Sequence, residues 1–339
     1  MKLRVTHLLR VILLRNNLFN HRKHVVFYIK KIFNFVLTLF LVTLVTFFAF
    51  QILPGNPAVA ILGPDADEVQ IANLEMELGL DKSPLIRYGE WLKKIFRGDF
   101  GTSYKYSKNV SQVVAEAFAA TFSLAVFSLA LSVLWGIVFG IFIALKERKT
   151  FAFAAQVLNQ IWIATPSFCA AIFLIIIFCV KLRAFPSMGF VPWNKNPSAC
   201  LHTLFLPALS MSLGSGAILS RYLKNSIQAE QKKDYVKTLR AKGLSLNQII
   251  FCHVLRNSFL PALTMLGLLI TDILGGSIII ENVFSIPGIG RLIATSISSR
   301  DFPLLQTLTL YLAFITMACN FLVDFLHSLA DPRIRRGKK

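Results

Sequence analysis

The stretch DYVKTLRAKGLSLNQIIFCHVLRNSFLP, Asp234 to Pro261, interrupts a chain dominated by long apolar segments. Its residues specify two helices joined by a tight corner. Gly243 can take the left-handed conformation that ends a helix running to about Lys242. Ser245 and Gln248 then supply an S-x-x-Q capping box, and Leu244 and Ile249 occupy the N′ and N4 positions of a hydrophobic staple. The corner is expected to project as a knuckle with an apolar tip (Ala241, Leu244, Leu246) and a basic flank (Lys237, Arg240, Lys242). A solvated basic loop or an interfacial helix would satisfy the charge pattern as well. Neither needs two capped helices, whereas a knuckle suits entry into a groove on another protein.

The flanking segments place this corner beside a membrane. Hydrophobic residues make up 55% of the 339, with 30 Phe among them, and the mean hydropathy is +0.61. Six segments, near 32–53, 119–145, 155–180, 203–223, 259–281 and 304–327, reach the roughly 18–20 apolar residues that cross ~30 Å of hydrocarbon. The fold class read from this pattern is an all-α integral membrane protein with six transmembrane helices. The first segment follows basic residues and precedes Ala58-Val59-Ala60, but it exceeds the roughly 7–15 residues of a signal-peptide core and reads as an uncleaved helix.

An even number of crossings puts both termini on one side. Of the 36 Lys and Arg, 24 fall in or beside residues 1–31, 146–154, 224–258 and 328–339, against 12 in 54–118, 181–202 and 282–303. The first set is therefore assigned to the cytoplasm. The net charge of +19 follows mostly from this asymmetry and from attraction to anionic lipid headgroups, not from nucleic-acid binding. The chain divides into a basic cytoplasmic N-terminal extension (1–31), the first transmembrane helix (32–53), an extracytoplasmic cap (54–116), a transmembrane core (117–328, with the loop 224–258) and a cytoplasmic tail (329–339). Within the cap, helices are expected over Asp67–Leu78, stopped by Gly79, and Pro84–Phe96, stopped by Gly98. Asp99 reads as pinning a turn there.

Catalytic patterns are missing. No G-x-x-x-x-G-K-[ST] phosphate loop occurs, so the chain is not expected to hydrolyse ATP alone. The six histidines show no H-x-x-x-H or H-E-x-x-H spacing, the five cysteines no C-x-x-C, and there is no G-x-S-x-G. Neither a metal site nor a catalytic residue is assigned. Asp272, in GLLITDILGG of the fifth span, carries an insertion cost of about 2.5–3.5 kcal/mol and is expected to face a polar cavity or a partner. Alone it would suggest a proton-coupled secondary transporter, a mechanism that needs no knuckle. In ATPSF, Pro166 either kinks the third helix or frees a carbonyl for a pathway, with Thr165 and Ser167 as the polar candidates. Gly214-Ser215-Gly216 and Gly275-Gly276 read as close-packing patches.

Several motifs together resemble one family, the permease subunits of binding-protein-dependent ABC importers, specifically the B-type subunit of dipeptide and oligopeptide systems. They are RAKGL-x8-HVLRN-x3-LP over Arg240–Pro261, LPGNP at Leu53–Pro57, RGDFGTS at Arg97–Ser103, FSIPGIGRL at Phe284–Leu292, RDFPLLQ at Arg300–Gln306, and the ending VDFLHSLADPRIRR. The resemblance covers nearly all of the chain beyond roughly the first 27 residues. It implies a type I ABC importer permease fold in the bacterial inner membrane, and a coupling helix made by the knuckle and docked on a cytoplasmic ATPase. The coupling loop would comprise Lys237, Arg240, Ala241, Lys242, Gly243, Leu244, Ser245, Gln248 and Pro261. The implied partners are a second homologous permease, two ABC ATPase subunits that hold the ATP and Mg²⁺, and an extracytoplasmic binding protein. No cofactor is expected on this chain. The cargo implied is a short peptide, with nickel, glutathione or another small solute of the same branch as the alternative. Two departures stand out: Lys237-Thr238-Leu239 replaces the family's usual Glu-Ala-Ala, and Gly243 lies eighteen residues before Pro261. Both resemble the peptide and nickel branch.

Overall fold

Ser128, Ser132, Gly136 and Gly140 recur at every fourth position of the second apolar segment and set a close helix contact. In the computed structural model, which describes residues 29–52, 57–63, 66–77, 79–146 and 149–330, they form one buried face of α5 (Val110–Leu145). That face lies against α8 (Pro197–Gln231). A Cβ on Gly136 would come within 2.8 Å of Leu219, and one on Gly216 within 2.9 Å of the Ser132 carbonyl oxygen. Small residues are therefore what lets the two backbones approach. Ser128 meets Met211, Ser132 meets Gly216, and Gly140 meets Leu223, so the helices run parallel. Parallel neighbours require the chain between them to cross back.

That return is α6 (Thr150–Ala164) followed by α7 (Ser167–Leu174), which continues as a π-type helix to Lys181. The two are bent by 108°, so Pro166 breaks the third span where a kink was expected. The residue before a proline is pushed out of the helical region, and Thr165 sits at φ −90°, ψ 118°. The Trp162 carbonyl, which Pro166 cannot serve, accepts from the Thr165 N–H at 3.3 Å instead.

Three further helices complete the membrane set: α1 (Ile29–Ile52), α11 (Leu255–Val283) and α13 (Phe302–Ala330). With the broken pair counted once, the described residues hold six helices long and apolar enough to cross a membrane. α11 runs antiparallel to α8, as the pairs Ser226–Ser258 and Ser215–Asp272 show. α13 runs antiparallel to α11 through Gly267–Val323 and Thr271–Asn320. At 1.5 Å per residue the 36-residue α5 and 35-residue α8 are roughly 50–55 Å long. Both therefore outrun the hydrocarbon, and hydropathy reports only their apolar middles.

The end of the bundle away from residues 234–261 holds α2 (Pro57–Leu62), α3 (Glu68–Glu77), α4 (Pro84–Phe96) and α12 (Ile289–Ser298). Gly79 and Gly98 stand at φ +67° and +77°, where a side chain would be strained. Asp99 accepts from the Gly101 N–H at 2.9 Å, the turn-pinning role expected of it. Two distant motifs then meet: Ser103 of RGDFGTS donates its hydroxyl to the fully buried Asp301 of RDFPLLQ, which also accepts from the N–H groups of Lys105 and Leu304 and so caps α13. Glu281, also fully buried, accepts from Thr121 Oγ1 at 2.7 Å and from the N–H groups of Gly290 (2.7 Å) and Arg291 (3.2 Å). Its carboxylate thereby satisfies the open donors at the start of α12. Of LPGNP, residues 53–56 lie outside the described residues, as do 1–28 and 331–339.

Candidate functional site

Between the C-terminal end of α8 and the N-terminal end of α11 the chain makes the corner written in its sequence. α9 (Asp234–Ala241) ends in a Schellman motif. Gly243 stands at φ +81°, its N–H donates to Arg240 O at 2.9 Å, and the Leu244 N–H donates to Leu239 O at 3.3 Å. Ser245 then opens α10 (Leu246–Gln248) with both halves of the capping box in place: the Gln248 N–H donates to Ser245 Oγ, and the Ser245 N–H donates to Gln248 Oε1 at 3.1 Å. α10 is one short turn. It passes through a π-type turn, Ile249–Val254, directly into α11, and every junction residue is helical. The second arm of the corner is thus the N-terminal end of the fifth span itself.

The underside of the corner is apolar and packed. Val236, Ile249, Ile250 and Val254 are buried with Leu223 and Ile227 of α8, each such side chain stabilising the joint by about 1.5–3 kcal/mol. Leu239 and Leu244 are half-buried against the same cluster. Leu244 therefore acts as the staple and not as part of the exposed tip; that tip is Ala241 and Leu246, the latter 53% exposed. Polar contacts add to the fastening. Lys233 pairs with Glu230, Tyr235 donates its hydroxyl to Glu230 Oε1 at 3.2 Å, and Asn257 of HVLRN donates to the Tyr235 hydroxyl at 3.4 Å. Tyr235 and Glu230 carry no motif signal of their own, and only contact between helices reveals their role.

Lys237, Arg240, Ala241, Lys242, Gly243, Ser245 and Gln248 are exposed and gathered on the outer face of the corner. Lys237 pairs with Asp234 at 2.8 Å on that surface. Pro261 stands apart from them, within α11.

The pathway candidates form a second group at membrane depth. Thr165 Oγ1 turns back to Ile161 O at 2.8 Å, while Ser167 begins α7. Asp272 lies on the exposed face of α11 and accepts from Ser215 Oγ at 2.8 Å. Gly276 links the two: a Cβ there would stand 3.9 Å from Ser167 Oγ. Gly275 has nothing within 4 Å and Gly276 only ordinary contacts, so this pair does not pack helices closely as expected, whereas Gly216 does.

A helical bundle ending in a braced corner is one property; its sequence relatives supply the other. The family described as binding-protein-dependent transport system inner membrane component matches residues 136–336, and its N-terminal companion matches 24–125. The chain belongs to that family. It is a permease of the ABC importer type. A Brucella abortus (strain 2308) protein named as a peptide transport system permease is 35% identical over 307 residues, covering 91% of this permease and 98% of the relative. The glutathione transport system permease protein GsiC of Salmonella choleraesuis is 33% identical over the same length, covering 91% and 98%. The inward-facing MetNI methionine ABC transporter superposes with a TM-score of 0.54 at 13% identity, over 65% of this permease and 97% of that chain. That likeness concerns the fold.

Proposed function

We propose that this permease forms half of a pore that imports short peptides across the bacterial cytoplasmic membrane, driven by ATP hydrolysed on partner subunits. A second, homologous permease completes the pore, an extracytoplasmic protein delivers the peptide, and two ABC ATPases, which bind the ATP and Mg²⁺, dock on the exposed corner of each half. The termini face the cytoplasm with that corner, in line with the asymmetry of Lys and Arg. The observation that carries the reading is mechanical. The corner is fastened to α8 by its apolar underside and is continuous with α11, so Leu246–Val283 is a single rod reaching from the docking face past Asp272 to Glu281. When ATP binding closes the ATPase pair, displacement of the corner tilts that rod and turns the pore outward; hydrolysis and product release reset it. Peptide as cargo draws support from the names of the Brucella and Salmonella relatives, the second being named for glutathione, itself a tripeptide.

Proteoliposomes holding the whole assembly are expected to accumulate trialanine with ATP inside and the binding protein outside, and to keep doing so when a protonophore is added. Omitting the ATPases should abolish uptake. Accumulation by this chain alone, driven by a pH gradient, would establish a secondary carrier instead.

A further inference from the structure

Asp272 lies seven residues into the apolar stretch Met265–Val283, near its middle, and is exposed on the surface of the chain. Ser215, itself buried, holds one carboxylate oxygen, Oδ2; among the described residues Oδ1 has no hydrogen-bond partner. No Lys, Arg or His occurs in 150–180, in 203–220 or in 257–290, so the helices around it supply no counter-ion. A carboxylate facing lipid at this depth would cost about 2.5–3.5 kcal/mol, and such groups are almost always turned to water or to a partner charge. The surface beside it is open. Gly275 has nothing within 4 Å of a Cβ position, and Gly276 and Gly214 meet only ordinary contacts, including Ser167 Oγ and the Trp162 carbonyl at the helix break. Gly140 and Gly216, by contrast, would set a Cβ 3.0 Å from the Ser220 carbonyl oxygen and 2.9 Å from that of Ser132. Gly214, Gly275 and Gly276 thus leave an open lane of surface beside the carboxylate and the break, free of contacts closer than 3.6 Å to a Cβ.

We propose that Asp272, oriented by Ser215, contacts the cargo and favours solutes that carry a positively charged amine, such as the free ammonium group of a short peptide. This deepens the peptide reading and rests on Asp272 lying along the pathway. An amine donates to Oδ1 while Ser215 keeps Oδ2, and the small residues leave the space through which the solute moves on.

The test needs one arm that is independent of the cargo. In a background with the five cysteines replaced by alanine, Gly276→Cys in the assembled transporter is reacted with a cationic and an anionic methanethiosulfonate of similar size. With Asp272 present the cationic reagent is expected to react faster, by on the order of tenfold beyond its advantage toward a free thiol in solution, because a charge several ångströms away in a low-dielectric lane acts strongly. Asp272→Asn should remove that preference and Asp272→Glu should retain it. An inaccessible thiol, or a preference unchanged by Asp272→Asn, overturns the proposal. In the second arm, uptake of trialanine is compared with that of N-acetyl-trialanine. Asp272→Asn should raise KM for the free peptide and leave the acetylated one unchanged. Equal losses for both peptides would mark Asp272 as an anchor to the second permease and also overturn the proposal. If the wild type imports neither peptide, the peptide reading fails, and the reagent arm still decides the role of Asp272.

Discussion

Gly290→Ala is expected to lower the stability of the permease severely, by about 3–5 kcal/mol. The added Cβ would sit 2.3 Å from the Cα of Ile278 and 3.0 Å from Glu281 Oε2. The first of these is backbone inside α11 and cannot rotate away. Relief requires α12 to lift off α11, which strips Glu281 of the N–H groups of Gly290 and Arg291 and leaves a buried carboxylate with Thr121 as its only partner. Leaving such a group unsatisfied costs about 1–3 kcal/mol, more when it is charged. Gly275→Ala is the comparator: Gly275 lies on α11, the helix that Gly290 packs against, with open space around it, and alanine is the better helix former by about 1 kcal/mol. Thermal unfolding of the purified proteins in detergent should show Gly290→Ala far below wild type and Gly275→Ala at or above it. Equal midpoints would contradict the packing described here.

Gly243→Val is expected to leave stability nearly intact and to destroy coupling. Nothing lies within 4 Å of a Cβ at Gly243, so no clash arises. The cost is conformational: φ +81° is poorly accessible to a β-branched residue, and relaxing it opens the Schellman turn that sets the angle between α9 and α10. The apolar underside still holds the arms, so membrane insertion and protein level should be normal. Substrate-stimulated ATP hydrolysis, or retention of the ATPases through purification, should fall at least about tenfold if a corner misplacement of about 1.4 kcal/mol or more enters the docking step. Ser245→Ala, which removes a cap worth about 0.5–2 kcal/mol, should be milder. Gly243→Asn should recover much of the activity, because Asn tolerates the left-handed region. A solvated loop retained only for its charge would show no difference among the three.

The corner was legible because its signals are local. Gly243, Ser245 and Gln248 act within a few residues of themselves, and the helix Pro84–Phe96 is likewise bounded by its own proline and glycine. The membrane spans were legible from hydropathy, though only in their apolar middles, since nothing in the transfer cost of residues 110–118 or 224–231 marks a helix that continues into water. The 108° break at Pro166 was read as a kink because a proline has one signature for both, and the extent of bending depends on what α8 offers the two halves. Leu244 was placed on the exposed tip from its position in the chain, but contact with Leu239 and the core draws it under. Contacts of long sequence separation were not legible at all. Ser103 with Asp301 and Thr121 with Glu281 join residues more than a hundred positions apart, and the glutamate stood unremarked inside an apolar helix. The four-residue repeat of Ser128, Ser132, Gly136 and Gly140 was a signal in plain sight, readable as a close-packing face by its period alone.

Docking of an ATPase on the exposed face of the corner is open to direct observation. The most direct measurement replaces Ala241 or Leu246 with the photoreactive amino acid p-benzoylphenylalanine in cells that express the full transporter. Phe96, which is 83% exposed at the opposite end of the bundle, serves as the control position. Irradiation is expected to give an adduct of permease plus ATPase from positions 241 and 246 and none from 96, with a yield that changes when ATP is trapped on the assembly. Adducts with lipid alone from 241 and 246, or an ATPase adduct from 96, would contradict both the docking face and the orientation.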